Sequence, residues 1–235
     1  TVAKPILVLK FGTASITTTD GELDELVIEE IARQVASIHK EYDLVIVSSG
    51  AVAAGKKFLK NYGGTLNEKK AAASVGNPLL LNTYAKYFSP HGISIAQSLC
   101  ERHHFSNRDQ FLQLKRTYEE LWASNIIPIA NENDVVSNVE LKFSDNDELA
   151  TLIATGFGAS KLLISTSVGG LLDGEGKIIR HVKEIDSEVL SVVSTDKSSS
   201  GLGGMISKLT FTRMATRLGI KVVIFGLDQG EGIVD

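Results

Sequence analysis

The chain has 235 residues, 43% of them apolar and 22% charged, a balance that supports one large buried core and excludes a disordered chain. A formal net charge of −4 argues against a broad nucleic-acid or acidic-membrane surface, both of which need clustered Lys and Arg. Cys100 is the only cysteine, which excludes an internal disulfide and a cysteine-rich zinc site and fits a reducing cytosol.

The start of the chain, 1–10, leads straight into a strand pattern with no signal-peptide layout, and no apolar run reaches the ~20 residues that span a bilayer. A cytoplasmic protein is expected. The first strand, predicted over 6–9, ends in Lys10-Phe11-Gly12-Thr13. A lysine at a strand end, followed by a glycine and a hydroxyl, can meet a phosphate that approaches the backbone N–H groups. Taken alone, the segment reads better as an exposed strand-end lysine.

A helical pattern over 23–39 precedes the strand 44–47, which ends in Ser48-Ser49-Gly50-Ala51 and runs into Val52-Ala53-Ala54-Gly55. Small residues that open a helix behind a buried strand leave free N–H groups at the positive end of the helix dipole, an anion site. Close helix–sheet packing with a serine as N-cap explains the same residues equally well. A helix over 68–88, a strand over 93–96 and a helix over 109–122 follow. Between the last two, Cys100 reads as packing and His103-His104 as an exposed loop pair. Trp122 closes its amphipathic helix and belongs to the core.

The strand 126–130 leads into Asn131-Glu132-Asn133-Asp134, and after an alternating stretch, 135–144, that reads as a β-hairpin comes Asp145-Asn146-Asp147-Glu148. Two polar-acidic clusters flanking one hairpin can grip an amino group, order water around magnesium and hold a lysine in place. Asp145 alone would serve as an N-cap, with Asp147 and Glu148 favouring the first turn of the helix 146–157 through its dipole. The two clusters together read as a site.

A strand over 162–164, a second hairpin or loop over 169–179 and a helix over 185–193 come next. The segment Ser200-Gly201-Leu202-Gly203-Gly204-Met205-Ile206-Ser207-Lys208 opens a helix over 205–218 but lacks the final Gly-Lys-Ser/Thr of a Walker A loop. By itself it reads as a flexible surface loop and gains weight only beside Lys10. The last strand is predicted over 222–225. Strands alternating with helices predict a mostly parallel sheet covered on both faces, an αβα sandwich, with ligands bound past the strand C-terminal ends.

The succession Lys10-x-Gly12-Thr13, Ser48-Ser49-Gly50-Ala51-x-Ala53-Ala54-Gly55, Asn131-Glu132-Asn133-Asp134, Asp145-Asn146-Asp147 and Gly203-Gly204-Met205-x-x-Lys208 resembles the amino acid kinase family along essentially the whole chain. Within that family it is most similar to the branch that phosphorylates the γ-carboxylate of glutamate in the first step of proline synthesis. The resemblance implies a three-layer αβα amino acid kinase fold. It implies Lys10 and Lys208 at the transferring phosphoryl group, and Asp147 as the residue that orients them. Ser49, Gly50, Ala51, Asp134 and Asn146 would bind glutamate, with Asn131 and Asp145 supporting them. ATP would meet Lys10, Gly12, Thr13, Thr166, Ser167, Leu202, Gly203, Gly204, Met205 and Lys208, with Mg2+ held mainly by phosphates and water and by no protein ligand.

The chain departs from the family's pattern at Ser144, usually Gly, at Ser167, usually Asp, and at Leu202, usually Thr. The resemblance further implies a homo-oligomer, dimer or tetramer, with proline as a feedback inhibitor. One kinase domain over 1–235 is expected, without the C-terminal PUA domain of many members. Kinases of acetylglutamate, aspartate, carbamate or uridylate are the nearest alternatives, and a catalytically silent regulatory homologue is the other.

Overall fold

The computed structural model describes residues 3–136, 146–166 and 204–227, together with Glu175, Lys177 and Ile233. Six strands form one sheet in which every pair is parallel: β1 (Ile6–Phe11), β2 (Asp43–Ser48), β3 (Ser94–Cys100), β4 (Ile126–Glu132), β5 (Lys161–Ser165) and β6 (Lys221–Phe225). Their order is β3-β4-β2-β1-β5-β6. The helices are α1 (Thr13–Ile16), α2 (Glu25–Ile38), α3 (Ala51–Gly55), α4 (Leu66–Phe88), α5 (His103–Ser106), α6 (Arg108–Ala123), α7 (Asn146–Phe157) and α8 (Gly204–Arg217). None of the described helices is long and apolar enough to cross a membrane.

Alternation along the strands divides the interior into two cores. Leu7, Leu9 and Phe11 of β1, with Leu44 and Ile46 of β2, pack against Ile28 and Ile31 of α2 and Leu80, Tyr84 and Phe88 of α4. Val8, Val45 and Val47 point the other way, to Tyr118 of α6, Leu149, Ile153 and Phe157 of α7 and Ala215 of α8. Helices on both faces of a parallel sheet give the expected αβα sandwich.

Every predicted strand in the described residues is present, but most extend further at the carboxyl end than their apolar runs. β1 includes Lys10 and Phe11, β2 includes Ser48, and β4 includes Asn131 and Glu132. The backbone ladder continues past the hydrophobic pattern because strand pairing needs peptide groups, not apolar side chains. Cys100 is the last residue of β3 rather than following it, and His103 and His104 open the short helix α5 instead of lying in a loop. The helix starts are set by caps. Asp24 accepts from the Val27 N–H, Thr65 and Glu68 form a capping box, and Asn107 accepts from the Gln110 N–H. The stretches 137–145 and 178–203 lie outside the described residues, and with them most of both predicted hairpins and the helix 185–193.

α3 and α4 touch backbone to backbone. A Cβ at Gly76 would lie 1.6 Å from the Ala51 carbonyl oxygen, and one at Gly55 would lie 1.8 Å from that of Ala72. This contact seats α3, and so the Ser49-Gly50-Ala51 turn, against the sheet. Gly76→Ala is expected to destabilise the fold by ~3 kcal/mol or more, at the upper end of overpacking costs, because neither neighbour is a side chain that can move aside. Urea unfolding of the variant measures this; a loss under ~1 kcal/mol would mean that the helices separate easily. Cys100 is fully buried, and burial pushes its thiol up to about 11. At pH 8 a thiol-specific aromatic disulfide should leave Cys100 unmodified in the native protein and modify it fully in denaturant. Rapid native labelling would show that this part of the core opens.

Candidate functional site

β1 lies between β2 and β5. The chain leaves β1 toward β2 through α2 on one face, and leaves β5 toward β6 through α8 on the other. The crevice at the carboxyl ends of β1 and β5 is therefore a topological switch point, where open parallel sheets bind ligands.

The pleat decides which way Lys10 points. Leu9 and Phe11 face α2 and α4, so Lys10, like Val8, faces the α7 layer. Its Nζ lies 2.6 Å from Asp147 Oδ1 in the first turn of α7, and Lys208 Nζ of α8 lies 3.2 Å from Asp147 Oδ2. Asp147 is fully buried, Lys10 is 4% exposed, and the Lys208 side chain is 15% exposed. Lys10 is thus not the exposed strand-end lysine that its segment alone suggests. One carboxylate serves two ammonium groups, so the trio itself carries a formal charge of +1. A Cβ at Gly12 would stand 3.2 Å from Lys10 Nζ, so the glycine keeps that ammonium group open on the strand-end side.

A second group gathers at the ends of β2 and β4. Asn146, the first residue of α7, donates from Nδ2 to Ser49 Oγ at 2.7 Å and to Asn131 Oδ1 at 2.9 Å. Asn131 Oδ1 also accepts from the Glu132 N–H, and the Ser49 N–H donates to Phe11 O, which ties the end of β2 to that of β1. Asn146 Oδ1 is buried with no hydrogen-bond partner among the described residues, an acceptor waiting for a donor. Asp134 sits half-buried in the turn that follows β4.

Between the two groups, Gly50 rather than a serine caps α3, at φ +109°, a conformation natural to glycine. A Cβ there would also lie 2.8 Å from Ile16 Cδ1. Ser48 is spent behind the site, hydrogen-bonded to Tyr84 OH at 2.8 Å and donating to Ser49 O at 2.9 Å. On the far side of β1, the Thr166 N–H donates to Phe225 O, while Ser165 Oγ donates to Ser15 Oγ and so ties β5 to α1. Gly204 opens α8 one turn before Lys208, with Met205 half-buried beside it. Asp145, Ser167, Leu202 and Gly203 lie outside the described residues.

Sequence reasoning missed Glu101 and Arg102 and gave Glu148 no partner. Arg102 grips Glu148 with both guanidinium nitrogens, Nη1 to Oε1 at 2.6 Å and Nη2 to Oε2 at 2.8 Å. Glu101 Oε1 accepts from Asn133 Nδ2 at 3.0 Å, and its backbone N–H donates to His104 Nδ1 at 2.9 Å. Burial, then the neighbouring His103, lowers the pKa of His104 against the pull of Glu101, which suits a neutral ring accepting at Nδ1. An Arg just past a strand is the only local signal, and nothing in the sequence names its distant partner.

Comparison with known proteins places this architecture. The chain is 38% identical over 239 residues to glutamate 5-kinase 1 of Bacillus licheniformis, a match covering 97% of this chain and 65% of that protein. It is 35% identical over 241 residues to glutamate 5-kinase of Haemophilus influenzae, covering 99% and 66%, and 37% identical over 231 residues to that of Kosmotoga olearia, covering 97% and 64%. The chain spans less than two thirds of the length of these relatives. Among solved structures, carbamate kinase from Giardia lamblia bound to AMP-PNP superposes with a TM-score of 0.66 at 18% identity, covering 96% of this chain and 93% of that one. UMP kinase from Ureaplasma parvum gives 0.63 at 15%, covering 100% and 92%. These two share the fold. The amino acid kinase family model matches residues 5–226, from just before β1 to just after β6, and by that match the chain belongs to the amino acid kinase family.

Proposed function

We propose that this chain transfers the γ-phosphoryl group of ATP to the side-chain carboxylate of glutamate, forming glutamyl 5-phosphate in the first step of proline synthesis. The observation that carries the reading is Asp147, a buried carboxylate that holds Lys10 at 2.6 Å and Lys208 at 3.2 Å at the carboxyl edge of the sheet.

The substrate carboxyl has a pKa near ~4.3 and is already an anionic nucleophile at neutral pH. No general base is needed. The chemical obstacle is repulsion between that carboxylate and the phosphates of ATP, followed by charge on the in-line transition state. Two ammonium groups held in place before substrates arrive oppose both, without reorganising during transfer. MgATP is the substrate, its metal held mainly by phosphate oxygens and water. With both oxygens of Asp147 engaged by lysines, the protein offers cations to the phosphoryl group.

The sheet order separates the two substrates. Acceptor groups, namely Ser49, Asn131, Asp134 and Asn146, lie on the β2–β4 side, with Gly50 and Ala51 at the turn. The proposed nucleotide groups Thr166, Gly204 and Met205 lie on the β5–α8 side, and Ser167, Leu202 and Gly203 are proposed as further nucleotide contacts. Lys10 and Lys208 stand between. The Oδ1 of Asn146, without a hydrogen-bond partner among the described residues, suits the ammonium group of an amino acid, and the similarity to glutamate 5-kinases supports glutamate as that amino acid. Asp145 is proposed as a supporting residue. The same reading includes a single kinase domain over 1–235, cytoplasmic location, assembly into a dimer or tetramer, and feedback inhibition by proline.

Lys10→Met and Lys208→Met should each lower kcat by roughly 10²–10³-fold, the loss expected when one preorganised charge-stabilising donor is removed. Near-normal kcat in both variants would overturn the phosphoryl-site assignment. Asn146→Ala should raise KM for glutamate far more than KM for ATP, since it removes acceptor contacts alone. Comparable effects on both substrates would count against the division of the site. A coupled ADP-release assay with glutamate, acetylglutamate, aspartate, carbamate and uridylate tests the acceptor directly: turnover of another member of the panel in preference to glutamate would replace the proposed substrate.

A further inference from the structure

Asn146, Asp147 and Glu148 are consecutive in the first turn of α7, so their side chains leave the helix about 100° apart and point in three directions. Asn146 turns to Ser49 and Asn131, and Asp147 to the two lysines. Glu148 turns to Arg102, in the segment between β3 and α5. The residue before Arg102, Glu101, holds Asn133 of the cluster that follows β4. Two adjacent side chains therefore hold the turn after β4, through Asn133, and the first turn of α7, through Glu148, on the proposed acceptor side.

We infer that Arg102 and Glu148 are positioning residues for the acceptor pocket: the pair fixes the first turn of α7 so that Asn146 and Asp147 meet their partners. The inference rests on the proposed function for the identity of the acceptor alone. Several observations favour positioning over a surface ion pair. The contact is bidentate, which sets an angle as well as a distance. The Glu148 side chain is only 11% exposed, although that of Arg102 is 41% exposed, so the carboxylate end of the pair is the one sheltered from water. It is also anchored at a strand end, where β3 pairs with β4 through Cys100 and Glu132 and where the Asn133 N–H donates to Cys100 O. The first turn of α7 is thereby held from two sides, by the lysines over β1 and by Arg102 at the β3 edge.

Stability and positioning are separable by comparing single and double variants. Arg102→Met takes the bidentate cation away from a mostly buried carboxylate and should lower the melting temperature, whereas Arg102→Met with Glu148→Gln removes that charge and should regain most of the loss. Each single variant and the double variant should show kcat/KM for glutamate reduced about 10–100-fold, the scale of a small misplacement at a reacting centre, with KM for ATP changed by no more than about twofold. The double variant should be no worse kinetically than either single, because one contact is being removed. Arg102→Lys should restore only part of the activity, as a point charge cannot reproduce the fork.

Wild-type inactivity toward glutamate would sink the proposed acceptor and leave the clasp to a measurement that needs no substrate. Amides of residues 150–153 in α7 should exchange with deuterium about tenfold faster in Arg102→Met than in wild type, and still faster than wild type in the double variant. Unchanged exchange in both variants would overturn the inference. So would kinetics that recover in the double variant together with its melting temperature, for the pair would then be serving stability alone.

Discussion

The carboxylate of Asp147 is the constraint on which the site depends. Burying one ammonium group costs free energy unless it is paired, and this fold brings two, buried or nearly so, onto the same carboxylate. The three side chains come from β1, α7 and α8, so three elements must converge to within a hydrogen bond before any of the charges is tolerated. A hydrophobic trio of the same volume would hold the elements together with less electrostatic cost. What the charged trio adds is two ammonium groups at the carboxyl edge of the sheet, where the proposed reaction places phosphoryl oxygens.

The topology makes that convergence possible. β1 is the first strand in the chain yet lies inside the sheet, with β2 and β4 on one side and β5 and β6 on the other. Chain segments more than a hundred residues apart thus meet at its end. The backbone contact of α3 with α4 at Gly55 and Gly76 and the Tyr84–Ser48 hydrogen bond press the β2 turn into place from behind. The left-handed Gly50 then turns the chain into α3 without a side chain intruding on Ile16.

Apolar runs located all six described strands, because a strand buried on both faces has few places for polar residues. They did not locate the strand ends, and the ends carry the candidate site residues. Lys10 belongs to β1 and is buried, although its segment read alone as an exposed lysine, since burial here comes from a helix some 135 residues further on. The serine expected to cap α3 is instead Ser48 bonded to Tyr84 and Ser49 bonded to Asn146, and Gly50 takes the cap. The clusters 131–134 and 145–148 were legible as a site because polar residues followed a buried strand and opened a helix. Their internal division of labour was not, for helical rotation separates Asn146, Asp147 and Glu148 only once each has a partner in space. Arg102 and Glu148 are 46 residues apart, and no local pattern links them.

In the proposed reading, recognition of the acceptor and recognition of the nucleotide lie on opposite sides of β1, which would let them vary independently across a family that shares this sheet. α7 limits that freedom. Asn146 and Asp147 are neighbours on one rigid turn, so a shift that retunes the acceptor pocket also moves the carboxylate that holds the lysines. A new acceptor would be easier to accommodate through residues off the helix, such as Ser49, Asn131 and Asp134, than through α7 itself. Contacts that brace α7 from outside, on the β3 side, then hold Asn146 and Asp147 together, because both leave the same turn.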